Sequence, residues 1–363
     1  MKNDVLAVVG AGAAGLMAAI AAAREAPDLD VVVFDGATRL GAKILIAGGG
    51  RCNVTHHAVS EHYFHGSSRS AIRRVLRAFD VEATRAFFAA EGVALKQEAT
   101  GKLFPVSDRA RDVLDALLAA ARRAGVRLEH PVRVTGIRSG GRVPGAGYQM
   151  PEAGCRVPGA GYQMPEAGCR VPGAGYQMPD AGCRVPGAGY DEGEFVLETS
   201  RGPRRGIRAV ILATGGRSVP KTGSDGSGYA LATSLGLPLT PHIFPALVPL
   251  RLPDGHAIAR LSGLAADVRL IVVSGTGRHL HAVSGALLCT HQGVSGPAVL
   301  DVSRLWQAAR HDDSGAGLLI DWLPGVAPDV LDSRLQQHGA RPVRRALAPP
   351  LPDRLADVLC ELA

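Results

Sequence analysis

Aromatic side chains are scarce in this sequence, because Phe, Trp and Tyr together make up only 4% of its 363 residues. Its core must therefore be built mainly from Ala, Val and Leu. Apolar runs are short and broken by Arg, Asp or Gly, whereas a transmembrane helix needs about 20 apolar residues. The apolar segment Val5–Val9 leads into glycines, unlike a secretory signal with its cleavage site. We therefore expect a cytoplasmic protein without a membrane span.

Lysine is also scarce, since only five of the 40 Lys and Arg residues are lysine. The net charge of +7 is carried by arginines that are scattered along the chain. Proteins that bind nucleic acids more often cluster basic residues on one face, with aromatic residues between them. The composition therefore disfavours a nucleic-acid partner, and an anionic cofactor or small-molecule substrate could use a few of these arginines. It leaves the oligomeric state open.

Cysteines are few and have no motif spacing. They are Cys52, Cys155, Cys169, Cys183, Cys289 and Cys360. Three of them recur within a repeat, and the other three lie far apart without a CxxC pair. This pattern predicts neither a disulfide framework nor a metal site.

The repeat has the unit RVPGAGYQMP(E/D)AGC, with copies starting at Arg142, Arg156, Arg170 and Arg184, and it ends at Tyr190. It is rich in proline and glycine and has neither helical nor alternating apolar periodicity. The sequence therefore predicts an inserted loop without chemistry of its own, between strands at 132–137 and 194–199.

The first 35 residues predict a strand, a glycine turn, a helix and a second strand. The apolar run Val5–Val9 is typical of a strand buried on both faces. Residues 10–15 read GAGAAG and open a helix predicted over 13–25. In such a GxGxxG turn the first glycine allows the tight turn, the second allows close approach of a pyrophosphate, and the third allows the helix to pack on the strand. Asp35 ends the second strand, at the spacing of an acid that binds a ribose diol.

Further elements follow from apolar patterns. Helices are predicted over 70–79, 84–91 and from a Ser107-Asp108 cap to 124, and strands over 126–128, 132–137, 194–199, 209–213 and 268–273. The glycine-rich segment 41–55 is predicted to be a loop. From about residue 241 prolines become frequent and short strands appear, which predicts a domain boundary.

Four motifs follow the glycine turn in order: GGGRCN at 48–53, ATG at 213–215, TGSDGSG at 222–228 and THQGVSGPA at 290–298. Together they resemble the flavoproteins known as HI0933-like, BaiN-like or aminoacetone oxidase family FAD-binding proteins. The resemblance covers nearly the whole chain outside the repeat. GGGRCN and THxGxSGPA are specific to that family, whereas GxGxxG and ATG occur in many flavoproteins.

The resemblance implies an α/β fold, with a Rossmann-type, glutathione-reductase-like FAD-binding domain interrupted by an inserted β-barrel and helical domain. Residues 1–140 and 191–240 would form the FAD-binding domain, 141–190 the repeat loop, and 241–363 the inserted domain. Family members continue beyond the position of Ala363 with a segment that returns to the FAD domain, and we find no such segment here. By motif position the FAD-binding residues would be Gly10, Gly12, Ala14, Gly15, Asp35, Lys43, Gly50, Arg51, Cys52, Asn53, Val132, Thr214 and Gly215.

The implied activity is that of an FAD-dependent oxidoreductase, with hydride transfer from NAD(P)H through the flavin to a small organic acceptor. An activated carbon–carbon double bond is one acceptor class, and oxidation of a small amine or ketone is the other. No second GxGxxG opens a nicotinamide domain, so NAD(P)H is expected to bind transiently over the flavin. Two other classes remain: a non-catalytic, truncated flavoprotein remnant and a flavin-dependent tRNA-modifying protein.

Catalytic residues are not fixed by the sequence. Cys52 is either a redox thiol or a buried core residue. Arg51 either stabilises negative charge on the reduced flavin or holds its loop in place. His291 either protonates a substrate or forms structural hydrogen bonds.

Deletion of residues 142–183 provides a first test of the loop interpretation. Because these residues carry only repeat copies, we expect the shortened protein to keep its melting temperature and its flavin content. Thermal melting and the flavin absorbance per protein would measure both. Loss of flavin on deletion would show that the repeat contributes to the site.

Overall fold

The computed structural model describes residues 4–64, 68–139, 195–337, 342–347 and 351–363. The repeat, with Cys155, Cys169 and Cys183, lies outside the described residues. The chain divides into two compact units, Met1–Thr240 and Pro241–Ala363.

The first unit contains nine described strands and six described α-helices. The strands are β1 Val5–Val9, β2 Asp30–Phe34, β3 Thr55–His56, β4 Leu95–Gln97, β5 Lys102–Pro105, β6 Arg127–Glu129, β7 Val134–Ser139, β8 Phe195–Thr199 and β9 Arg204–Leu212. The helices are α1 Ala13–Glu25, α2 Ala42–Gly50, α3 Arg69–Ala78, α4 Val81–Ala90, α5 Ala110–Arg123 and α6 Ser227–Ser234.

The main sheet of this unit has the order β6-β2-β1-β9-β8-β7 among the described strands. Strands β6, β2, β1 and β9 are parallel, and β8 is antiparallel to both of its neighbours. Side chains of β1 alternate between two cores: Leu6 and Val8 pack with α1 and α5, whereas Ala7 and Val9 pack with Val134 and other residues on the opposite face. Burial on both faces explains why the β1 sequence is apolar throughout.

The predicted α1 matches the observed helix, and most other elements differ from prediction by one to five residues at their ends. Two predictions were wrong. The segment 41–55 is not simply a loop, because α2 occupies Ala42–Gly50, with non-helical backbone from Ala47 to Gly49. The cap of α5 is Arg109 rather than Ser107-Asp108, and it makes no side-chain capping hydrogen bond.

The second unit contains five described strands and four described α-helices. They are β10 Leu250–Arg251, β11 Ala265–Val273, β12 His279–Thr290, β13 Gly293–Ser295, β14 Gly317–Asp321, α7 Pro297–Asp312, α8 Pro328–Gln337, α9 Arg344–Leu347 and α10 Asp353–Leu362. The strands form an antiparallel sheet in the order β10-β13-β12-β11-β14. Its core joins Leu270 of β11 and Leu287 of β12 to Val299 of α7 and Leu355 of α10. No helix among the described residues is both long enough and apolar enough to span a bilayer.

Candidate cofactor site

Three parallel strands end at one edge of the main sheet. The last residue of β1, Val9, is in register with Phe34 of β2 and with Leu212 of β9. The Gly10 N–H donates to the Phe34 carbonyl at 2.8 Å, and the Ala213 N–H donates to the Val9 carbonyl at 2.8 Å. The glycine turn, Asp35 and the Ala-Thr-Gly segment therefore lie together at the carboxyl edge, where open α/β sheets bind their ligands.

Glycine is needed at different positions of the turn for different reasons. A β-carbon on Gly15 would lie 1.8 Å from the Gly10 carbonyl oxygen, so the packing of α1 on the turn requires glycine there. A β-carbon on Gly12 would meet no protein atom within 4 Å, and the φ of Gly12 is −77°, which any residue adopts. Nothing within the described protein requires glycine at position 12. A ligand that approaches this backbone would require it, and the open space therefore fits a pyrophosphate.

The N-terminus of α1 is suited to an anion. Its first turn carries no acidic residue and Gly12 provides no side-chain cap, so the N–H groups of the first turn remain available. These groups and the helix dipole attract negative charge. Ala14 lies in this turn with an exposed side chain.

Asp35 stabilises the turn as well as facing the edge. Its Oδ2 accepts a hydrogen bond from the Ala11 N–H at 2.7 Å, and its Oδ1 accepts one from the Ala37 N–H at 2.8 Å. A carboxylate has about four acceptor positions, so two remain for the hydroxyls of a ribose. This turn-stabilising role was not predicted from the sequence.

Val132 is fully buried beside Asp35, and its N–H donates to the Asp35 carbonyl at 2.7 Å. A contact between Val132 and an adenine therefore falls to its carbonyl group. The adjacent Arg133 places Nη2 2.5 Å from Asp225 Oδ2, while Asp225 Oδ1 accepts the Ser227 N–H at 3.0 Å. The Arg133 guanidinium holds the pKa of Asp225 well below its usual range. The loop at 222–228 is thereby joined to the segment that carries Val132.

Lys43 is joined to the segment that follows β9. Its Nζ donates to the Ser224 Oγ at 2.7 Å, and Ser224 is buried. Gly215, at φ +73°, is packed so closely on Ser224 that a β-carbon there would lie 2.5 Å from the Ser224 Oγ. Thr214 lies just before it, and its hydroxyl donates to the Gly215 carbonyl at 3.3 Å. The structure thus brings Lys43, Thr214 and Gly215 together at the carboxyl edge.

The Gly-Arg-Cys-Asn segment, at 50–53, forms a corner at the end of α2. Gly50 has φ +87° and Cys52 has φ +63°, and the Cys52 N–H donates to the Ala47 carbonyl at 2.9 Å. The Cys52 side chain is buried in the core formed by α1 and α5, whereas Asn53 is exposed. Burial raises the pKa of the Cys52 thiol, which opposes the thiolate form that redox chemistry needs.

Alkylation would test this assignment of Cys52. We expect iodoacetamide to modify the exposed Cys360 at least about tenfold faster than the buried Cys52 at pH 7.5. Peptide mapping by mass spectrometry would measure both rates in one sample, and labelling in denaturant would serve as the control in which the rates converge. Fast labelling of native Cys52 would restore the redox interpretation.

Arg51 lies between two carboxylates and an aromatic ring. Its Nη1 is 2.5 Å from Glu98 Oε1 and 3.6 Å from Asp108 Oδ1, and its Cζ lies 4.0 Å from the centroid of the Phe104 ring. The hydrogen bond to Glu98 raises the pKa of Arg51 above its usual value. Glu98, Asp108 and Phe104 were not predicted as site residues, since no local pattern connects them with Arg51.

His291 lies in the second unit, in the short connection between β12 and β13, and its side chain is exposed. Neither of the two roles considered for it is tested by this position. Among the described residues, no group of three His, Cys, Asp or Glu side chains is placed to hold a metal ion.

Residues 4–148 match the HI0933-like protein Rossmann domain, and residues 244–363 match the HI0933-like protein barrel and H2TH domain. The chain belongs to the HI0933-like family. The resemblance read from the motifs is therefore confirmed. The predicted fold class is also confirmed, namely a Rossmann-type FAD-binding domain with a separate barrel and helical domain. The family is one of FAD-dependent oxidoreductases.

Two of the curated relatives have the following named activities. The 3-dehydro-bile acid delta(4,6)-reductase of Clostridium scindens is 30% identical over 333 residues, which are 92% of this chain and 68% of that protein. The ribosomal RNA dihydrouridine synthase of Escherichia coli is 26% identical over 358 residues, which are 98% of this chain and 73% of that protein. Among solved structures, L-proline dehydrogenase from P. horikoshii matches 87% of this chain and 79% of its own length at 10% identity, with a TM-score of 0.36.

Proposed function

We propose that this protein is an FAD-dependent reductase that passes hydride from NAD(P)H to an activated carbon–carbon double bond in a small organic molecule. The observation that carries the proposal is the carboxyl edge of the sheet, where the open space over Gly12, the free helix N-terminus and the Asp35 carboxylate fit the ADP half of FAD. The acceptor class is supported by the 30% identical relative, which is named as a reductase of a bile acid.

Each residue of this edge has a defined task in the proposal. Gly12 and the first turn of α1 bind the pyrophosphate, and Asp35 accepts hydrogen bonds from the ribose. Lys43, held by Ser224, adds a positive charge beside the phosphates. The corner at 50–53 lies along the isoalloxazine, and Asn53 is the exposed polar residue of this corner. FAD, once bound, supplies the hydride chemistry, and the protein supplies its placement and electrostatics.

A visible spectrum of the purified protein tests the proposal. Flavin absorbance that bleaches anaerobically with NADH or NADPH, and returns on addition of an α,β-unsaturated ketone, is the expected result. Mass spectrometry of the ketone should then show the gain of two hydrogens. Bleaching by a small amine instead would indicate an oxidase, and protein that remains colourless after incubation with FAD would favour the non-catalytic alternative.

RNA modification is a second candidate, favoured by the surface of α3 and by the RNA-directed activity named for the relative from Escherichia coli. Arg69, Arg73 and Arg77 recur every four residues and so form one row along the helix, in which Arg73 is ion-paired with Glu61. Tyr63 lies in the turn before α3, and Phe79 lies directly after α3. Both have large, exposed side chains. Arginines beside exposed aromatics are typical of surfaces that contact phosphates and stack bases. The scattered basic residues seen in the sequence thus include one local stripe.

Fluorescence anisotropy with a labelled ribosomal RNA stem-loop would test this candidate. We expect replacement of Arg69, Arg73 and Arg77 by Gln to weaken binding and to flatten its dependence on salt. Replacement of Arg109, Arg111 and Arg122 by Gln removes the same charge from α5 and its N-terminal cap, and serves as the control. Equal losses in the two variants would indicate unspecific attraction, which speaks against an RNA substrate.

A further inference from the structure

Arg51 belongs to a cluster whose charges cancel. Arg51 is held by Glu98 and Asp108, and Asp108 also forms an ion pair with Lys96. Two cations thus face two carboxylates, so the cluster as a whole has no net charge. A neutral cluster presents a much weaker positive field to a neighbouring anion than an unpaired guanidinium would.

The partners of Arg51 are themselves fixed by the small sheet of β3, β5 and β4. Phe104 lies on β5, is 2% exposed and is paired with Lys96 of β4. The Glu98 N–H donates to the Lys102 carbonyl at 2.9 Å, which closes the hairpin between β4 and β5. Arg51 therefore meets residues of a hydrogen-bonded hairpin rather than of an irregular loop.

The same ring also contacts the corner itself. Gly48 is packed so closely that a β-carbon there would lie 2.7 Å from the Phe104 Cε1 and 2.8 Å from the Asn53 backbone nitrogen. Arg51 lies against the same ring, with its Cζ 4.0 Å from the centroid. The backbone from Gly48 to Asn53 is thus fastened to β5 at two points, of which Arg51 supplies the second.

Asp108 is held in an uncommon backbone conformation beside Arg51. Its φ is +52°, and within the described residues its Oδ1 is shielded from solvent without a hydrogen-bond donor, with Arg51 Nη1 as the charge 3.6 Å away. A non-glycine residue rarely adopts such a φ unless its surroundings impose it. The Lys96 ion pair and the Arg51 charge together account for the position of this carboxylate.

From this arrangement we propose that Arg51 is a positioning residue and not a charge partner of the flavin. It fixes the backbone at 48–53, which contains the corner at 50–53, through Glu98, Asp108 and the Phe104 ring, so that the corner is formed before FAD binds. The inference rests on the proposed function, because that function assigns the corner to the flavin. The effect of Arg51 on the corner, however, does not depend on bound flavin.

Three variants separate the two roles of Arg51. Arg51→Lys keeps the charge but cannot bridge two carboxylates while stacking on a ring. Arg51→Met keeps the length and removes the charge, and Glu98→Ala removes the main partner and leaves Arg51 in place. Arg85→Met, which replaces a half-buried arginine on α4 with one weak partner, is the matched control.

The readouts are the FAD dissociation constant, the midpoint potential of bound flavin, and amide hydrogen exchange of residues 48–53 in flavin-free protein. We expect all three variants to weaken FAD binding about tenfold, because a preformed corner is lost, and to leave the potential unchanged. Exchange in the corner should accelerate in all three and stay as in the parent protein in Arg85→Met.

Two results would overturn the proposal. One is a lowered potential in Arg51→Met that Arg51→Lys restores, since only the charge is common to the parent and the lysine variant. The other is unaltered exchange at 48–53 in Arg51→Met. Failure of the parent protein itself to bind FAD would overturn the proposed function and leave the exchange measurement to decide the role of Arg51.

Discussion

A Gly15→Ala variant is expected to lose about 3 kcal/mol of unfolding free energy, a large but documented cost of overpacking, and its bound FAD with it. The new β-carbon would lie 1.8 Å from the Gly10 carbonyl oxygen and 3.2 Å from the Ala213 side chain. Backbone must therefore move at the point where β1, α1 and the end of β9 meet. Thermal melting should show a transition about 10 °C lower.

Gly12→Ala is the matched control, because it adds the same methyl group three residues away. At Gly12 the β-carbon meets no protein atom within 4 Å, and φ is −77°, so the melting temperature without FAD should not fall. Binding of FAD should still weaken about 100-fold, because the methyl group enters the space assigned to the pyrophosphate. An unchanged FAD dissociation constant in Gly12→Ala would show that no pyrophosphate approaches this backbone.

The sequence suffices for the parts of the fold whose causes are local. Both faces of β1 and β2 are buried, and this leaves a continuous apolar run that indicates a parallel strand. Helix α1 could be bounded correctly because the glycine turn fixes its start and the apolar pattern fixes its face. The same two signals place Asp35 at the carboxyl edge, since its position follows from the end of β2.

Features that depend on tertiary contacts could not be read in this way. The glycines of 48–50 indicate a loop throughout 41–55, but the residues before them favour helix, and the helical backbone continues up to the kink at Ala47–Gly49 inside α2. Ser107 and Asp108 have the composition of a helix cap, yet Asp108 is engaged with Lys96 and Arg51. Electrostatic partners from other elements overrode the local preference.

The polar contacts of the candidate site show the same limit. Lys43 and Ser224 are 181 residues apart in sequence, and Arg51 and Glu98 are 47 apart. No periodicity in the sequence predicts such contacts, because each of these residues taken alone resembles a solvated surface residue. The composition did not indicate the basic stripe on α3 for a related reason. The aromatic content of 4% is an average over the whole chain and does not describe one particular surface.

Asp35 is expected to show two separable effects on substitution. In Asp35→Ala the N–H groups of Ala11 and Ala37 lose their acceptors, so we expect a loss of about 2 kcal/mol in unfolding free energy, the cost of partly buried donors left unpaired. FAD binding should weaken about 100-fold, because the ribose loses its acceptor and the turn its support. Isothermal titration calorimetry and thermal melting would measure the two effects.

Loss of FAD alone would not show that Asp35 contacts the ribose, because a disordered turn has the same consequence. A ratio of two ligands removes that ambiguity, since a damaged turn weakens both of them. The parent protein should bind ADP more tightly than adenosine 2′,5′-bisphosphate, because the Asp35 carboxylate repels a 2′-phosphate. In Asp35→Asn, which keeps the size of the side chain and removes its charge, this preference should shrink about tenfold or more. A preference that survives the substitution would mean that the ribose lies elsewhere and that Asp35 serves the turn alone.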